Sequence, residues 1–178
     1  AVHDTELALF GQTSEDVDAN LQTGVFGLVE DTGSFFFEAA AEARERGEVL
    51  GEALGRKLIE VGAPQAGVSV QAAAYRASVP ASVHVAVGTD TVHAHPSGDG
   101  AALGEATLRD FKILAHTLLE SRGAVILNLG SAVVLTVFFN YAASAVCAYG
   151  DGLESQHVVQ RNFLKKQAKA AKKEARLE

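Results

Sequence analysis

A short β-branched run, Ser82–Val87 (SVHVAV), constrains this chain more than any other segment. Residues of that kind and number fit a pleated strand, and Gly88 ends the run at once. A loop dense in glycine, histidine and acid follows, GTDTVHAHPSGDG. Gly104–Ser121 (GEATLRDFKILAHTLLES) then repeats apolar residues at helical spacing. Leu108, Phe111, Ile113, Leu114, Leu118 and Leu119 make its expected core face. Ala124–Gly130 (AVILNLG) reads as a second buried strand. Ser131–Tyr149 is too long for a strand and reads as a helix. Strand, loop, helix, strand, helix is the alternation of a parallel α/β layered fold.

Ahead of the first strand the pattern is helical. TSEDVDAN offers Thr13 or Ser14 as a cap and places acids in the first turn, where the helix dipole favours them. FFFEAAAEARERG predicts a helix ending at Gly47. EVLGEALGRKLIEVG predicts another, with Val49, Leu50, Ala53, Leu54, Leu58 and Val61 on its buried side. Gly51 and Gly55, four apart, would let a neighbour approach closely at some loss of helix stability. VSVQAAAYRAS continues as helix until Pro80 breaks it.

The chain has 178 residues, 48% of them hydrophobic and 21% charged, which is a globular and not a disordered composition. Its apolar runs are interrupted and short for a membrane span. Cys147 stands alone, so no intrachain disulfide forms, and its apolar neighbours suggest a buried structural thiol. No methionine is present, and Ala1 reads as a processed end or as the start of a piece. A removed targeting segment would place the protein in an organelle such as the mitochondrion; otherwise it reads as cytoplasmic. Charge is uneven. Residues 161–178 (RNFLKKQAKAAKKEARLE) hold 7 of the 15 Lys and Arg but only 2 of the 22 acids. This Ala/Lys-rich segment has few large apolar residues, so it reads as a solvated basic helix or as an arm for an acidic partner protein. Without interleaved aromatics it does not favour nucleic acid. Gly150–Gly152 is the expected hinge, giving a domain over 1–150 and a basic helical tail over 151–178.

Ligands of open α/β sheets bind beyond the carboxyl ends of the strands. The candidate binding residues are therefore Thr89 and Asp90 after the first strand, with Gly130 and Ser131 after the second. Gly130 and Ser131 open a helix whose free N–H groups could hold a phosphate or carboxylate. His93 and His95 carry the H-x-H spacing that suits zinc. Spacing fixes no third ligand, however, and Pro96 and Gly98 make the segment a turn. The two histidines are therefore read as hydrogen-bonding a ligand or a neighbouring backbone, and no metal site is assigned. His84 reads as an interior or interface histidine, Asp99 and Gly100 as turn residues, and Glu105 as a first-turn carboxylate. No catalytic triad is legible.

The stretch from Ser82 to Leu135, SVHVAVGTDTVHAHPSGDGAALGEATLRDFKILAHTLLESRGAVILNLGSAVVL, resembles the deoxyhypusine-synthase-like family, in particular its uncharacterised bacterial branch. AVHDTELALFGQTSEDVDANLQTGVFGLVEDTGSFFFEA resembles the same branch. The resemblance implies a Rossmann-like parallel sheet, here partial because the first strands are missing, flanked by helices and followed by the C-terminal basic helix. It implies a tetrameric assembly and, in the true synthases, NAD, a polyamine substrate and sites shared between subunits. Thr89 and Asp90 resemble the family's Thr-Asp, and Gly130 and Ser131 its small-residue turn. Glu30 and Asp31 lie where an acidic pair near NAD would be sought. The family's Glu-Phe-Asp-Gly segment and its catalytic lysine in a Trp-Gly-Lys setting are missing; Lys165 and Lys166 do not replace that lysine.

Two readings follow. The first is a degenerate, non-catalytic relative, a pseudoenzyme serving as a structural subunit of a larger assembly whose other chains cover an open sheet edge. The second is a deoxyhypusine-synthase-like, NAD- or nucleotide-binding transferase whose site is completed by another chain or by residues beyond this sequence.

Overall fold

The computed structural model describes residues 1–14 and 29–120, together with Val125 and Leu127. The chain divides into two compact units, Ala1–Ile113 and Leu114–Glu178. The described elements are α1 (Val2–Phe10), α2 (Glu30–Arg46), α3 (Leu50–Glu60), α4 (Val70–Ala77), a 3-10 turn (Thr91–Ala94) and α5 (Gly100–Glu120).

Among the described residues the architecture is helical and contains no strand, which overturns the expected α/β fold and its partial Rossmann-like sheet. Residues 79–86, which include most of the SVHVAV run, form no ladder. β-branched residues favour a pleated surface only when a neighbouring strand supplies one. Here a helix lies alongside instead. The Thr107 hydroxyl of α5 donates to the Val83 carbonyl at 2.9 Å and accepts from the Val85 N–H at 3.0 Å. One side chain thus meets two backbone groups that a strand partner would otherwise take. Of the expected second strand only Val125 and Leu127 are described, and both are exposed. The remainder of that strand, the following helix, Cys147 and the basic tail lie outside the described residues, as does the expected helix beyond Ser14.

The helices follow the sequence more closely. Gly47 ends α2 at φ 71°, a left-handed conformation that suits a residue without Cβ. Leu50, Ala53, Leu54 and Leu58 of α3 are fully buried, while Val61, expected with them, is exposed. A Cβ on Gly51 would collide with the Ala81 carbonyl, and one on Gly55 with that of Gln71. The glycine pair therefore lets backbone pack on backbone. Against α3 lie Phe36, Ala39, Ala40 and Ala43 of α2, all buried. Phe36 and Phe37 meet edge to face with ring centres 6.0 Å apart. Beside this contact Arg56, 4% exposed, reaches Glu42, Glu48 and Glu60, and Lys57 reaches Glu38 and Glu42. A buried guanidinium is tolerable because its donors are answered.

The buried face of α5 is not the expected one. Ala102, Leu103, Ala106 and Asp110 are buried, whereas Leu108 and Ile113 are exposed. Leu103 enters the core with two alanines and one carboxylate, while Phe111, Leu114 and Leu118 of the expected face are only partly buried. Among the described residues no helix is long and apolar enough to cross a membrane.

Candidate functional site

The loop after the SVHVAV run is bound mainly to itself. Thr89 Oγ1 donates to the Ala86 carbonyl at 2.7 Å. The Asp90 carboxylate accepts from the His93 N–H, and His93 Nδ1 accepts from the backbone N–H groups of Asp90 and of Gly88, at 3.3 and 3.2 Å. This reciprocal box closes the 3-10 turn. Both donors into His93 Nδ1 are amides, so the neutral ring carries its proton on Nε2. That atom is buried and has no hydrogen-bond partner. Thr89, Asp90 and His93 therefore shape the loop, while Gly130 and Ser131 lie outside the described residues.

His95, two residues on, faces a cleft of about 230 Å³. One wall is the start of α2, with Val29, Glu30, Thr32 and Gly33; the other includes Thr91, Val92, Ala94 and Pro96, and Glu6 of α1 joins them. The His95 ring lies directly over Gly33, where a Cβ would strike it. Its Nδ1 accepts from the Ser97 N–H at 3.2 Å, leaving Nε2–H to face Ser34 Oγ at 3.4 Å. Glycine at position 33 is thus what brings the loop down onto α2.

Glu6 is 1% exposed. His3 Nδ1, the Ser14 N–H and the Ser14 hydroxyl all bond its Oε2 at 3.0 Å, and Oε1 takes none of these bonds. Thr32 is 1% exposed, and its Oγ1 has no partner. Glu30 and Asp31, the acidic pair singled out from the sequence, form the exposed first turn of α2.

Three helix starts clarify this wall. At α4, Ser69 caps Ala72, and Asp4 accepts from the Val70 and Gln71 N–H groups and from the Ser69 hydroxyl, at 2.7 to 3.2 Å. At α3 the N-cap is Val49, which offers no side-chain acceptor. Asp110 of α5 takes the role, accepting from Leu50 and Gly51 at 2.8 and 3.3 Å. At α2 the N-cap is Val29, which offers no side-chain acceptor, and among the described residues no other side chain takes the role. Its first N–H groups, which have no acceptor within a helix, stand at the wall of the cleft.

His84 is half-buried beside this loop, with Nε2 at 2.8 Å from Ser82 Oγ, and burial pushes its pKa down to about 4, so it is neutral at ordinary pH. Among the described residues no group of three or more His, Cys, Asp and Glu is placed to hold a metal ion. Glu6, Thr32 and Gly33 are not legible as site residues in the sequence. A buried Glu at an internal position of α1, flanked by Thr5 and Ala8 on the same buried face, is the available signal. Comparison with protein-family models, with curated proteins and with solved structures finds no match to this chain.

Proposed function

We propose that this chain is a subunit that holds a small polar ligand in the cleft under His95, in a larger protein assembly. The observation that carries this reading is the unfilled polar character of the cleft wall. A buried hydroxyl left without a partner costs about 1–3 kcal/mol, and Thr32 accepts that penalty at the edge of a cavity. Beside it stands a helix start that no side chain among the described residues caps. A ligand would satisfy both.

The described residues do not fit NAD by themselves. The cleft is smaller than the roughly 300–1,000 Å³ of ordinary ligand pockets, and Glu6 and Glu30 would oppose a pyrophosphate. No step through that cofactor is derived.

A purely structural subunit is the second reading. Val68, Val70, Val79 and Val87 favour it, being 58–76% exposed. Scattered apolar residues are ordinary on a surface, but four such valines suit a protein contact.

The test is a fragment screen read by amide chemical shifts on the labelled full chain, alongside native mass measurement of the protein from cells. Fragments should move the Thr32, Gly33 and His95 resonances, and Ala94→Phe should abolish the response by filling the cleft. If no fragment moves those resonances while the native mass reveals stable hetero-oligomers, the structural reading replaces the ligand-binding one.

A further inference from the structure

We infer that the cleft takes a small zwitterion of the α-amino-acid type, its carboxylate capping α2 and its ammonium group set against Glu6 and Glu30; this rests on the cleft being a ligand site. The argument starts from how this molecule treats helix starts. Asp4 caps α4 and Asp110 caps α3, so two described helix starts close on a carboxylate brought from another element. Among the described residues no carboxylate reaches the start of α2, and it alone of the three borders the cleft. Backbone N–H groups at a helix start attract anions. Thr32 adds a buried hydroxyl, already unpartnered, that can donate to the same anion.

A simple anion does not suit the remainder of the lining. Glu6 and Glu30 both border the cleft and would repel it. A ligand with a cationic group near its carboxylate turns that repulsion into attraction. Glu6 is suited to the role because the hydrogen bonds it makes with described residues fall on Oε2. Among the described residues Val29, Val92, Ala94 and Pro96 add apolar surface to the walls, which fits a short aliphatic side chain. A volume of about 230 Å³ suits a molecule of this size and not a nucleotide.

The experiment titrates the labelled full chain with each proteinogenic amino acid, reading the Thr32, Gly33 and His95 amides. The tightest binder is then compared with its decarboxylated amine and its deaminated acid. The amino acid should bind at least tenfold tighter than either. Thr32→Val should weaken it about tenfold, and Glu30→Gln should weaken it while leaving the deaminated acid unchanged or tighter. An amine that binds as well as its amino acid would overturn the inference in favour of a cation site; an acid that does so would overturn it in favour of an anion site. If no amino acid binds but other fragments still occupy the cleft, this inference falls and the ligand-binding reading stands. If the fragments fail as well, both fall.

Discussion

Helix α1 sends two carboxylates toward other helices, and they meet different ends. Asp4 is consumed: it closes the start of α4 with three hydrogen bonds. Glu6, two residues later, borders the cleft at the start of α2 but caps nothing there, bonding His3 and Ser14 instead. The α4 start is closed by a carboxylate, whereas no side chain among the described residues closes the α2 start. Helix ends that serve stability have their donors answered internally. The first turn of α2 is exposed, and it borders the cleft with no cap from a described side chain.

The largest expected effect is at the third helix start. Asp110→Ala strands the buried N–H groups of Leu50 and Gly51, at about 1–3 kcal/mol each, so chemical denaturation should show a loss of about 3 kcal/mol. If Asp110→Ala is neutral, the capping account of α3 is wrong. The same residue gives a pH signature. Burial, partly offset by the backbone N–H groups of Gly51, Leu50 and Val83 and reinforced by Glu52, pushes the Asp110 pKa up to about 7, from 3.8. A raised folded-state pKa means that the folded chain holds this proton more tightly than the unfolded chain. Its contribution to stability is therefore full below about pH 4 and is lost as pH rises through about 7. Urea midpoints of the wild type relative to Asp110→Asn should fall across that window and level off above it. A flat difference would show that Asp110 does not titrate there.

Next in size, Asp4→Ala should cost about 1–2 kcal/mol, the range for a lost helix cap, with Ser69 still holding Ala72. Thermal unfolding with ligand absent is the measurement. The sharper contrast is Thr32→Val. Removing an unpartnered buried hydroxyl should raise stability by about 1 kcal/mol while weakening ligand binding. A drop in stability would mean that Thr32 Oγ1 has a partner in solution and that the α2 start is as complete as that of α4. The smallest effect is Val29→Ser, which supplies the missing cap. It should stabilise the ligand-free protein by up to about 1 kcal/mol and shrink the stabilisation that a bound ligand gives.

Part of this architecture is legible in the residues alone. The end of α2 at Gly47 and the buried stripe Leu50–Ala53–Leu54–Leu58 follow from residue type and helical period, because both depend on neighbours within a few residues. Gly51 and Gly55 announce a close approach, although not which backbone approaches. The SVHVAV run misleads because strand formation requires a partner that the run does not contain. The face of α5 misleads for a related reason: Leu108 and Ile113 have the bulk of core residues, but the surface they meet is not encoded in their spacing.

His95 stands out in the sequence and lines the cleft, while Thr89, Asp90 and His93, which stand out with it, are tied into the loop. Nothing local distinguishes them. What separates them is that Gly33, more than sixty residues upstream, admits the His95 ring against α2. The helical stretches, their glycine ends and the apolar side of α3 are written in the chain itself, as consequences of short-range backbone and packing preferences. Three-dimensional assembly is what settles which carboxylate closes which helix. It brings Asp110 to Leu50 across 60 residues, and it brings none of the described carboxylates onto the start of α2. Those are long-range outcomes, and they exist only once the chain has been brought together around its core.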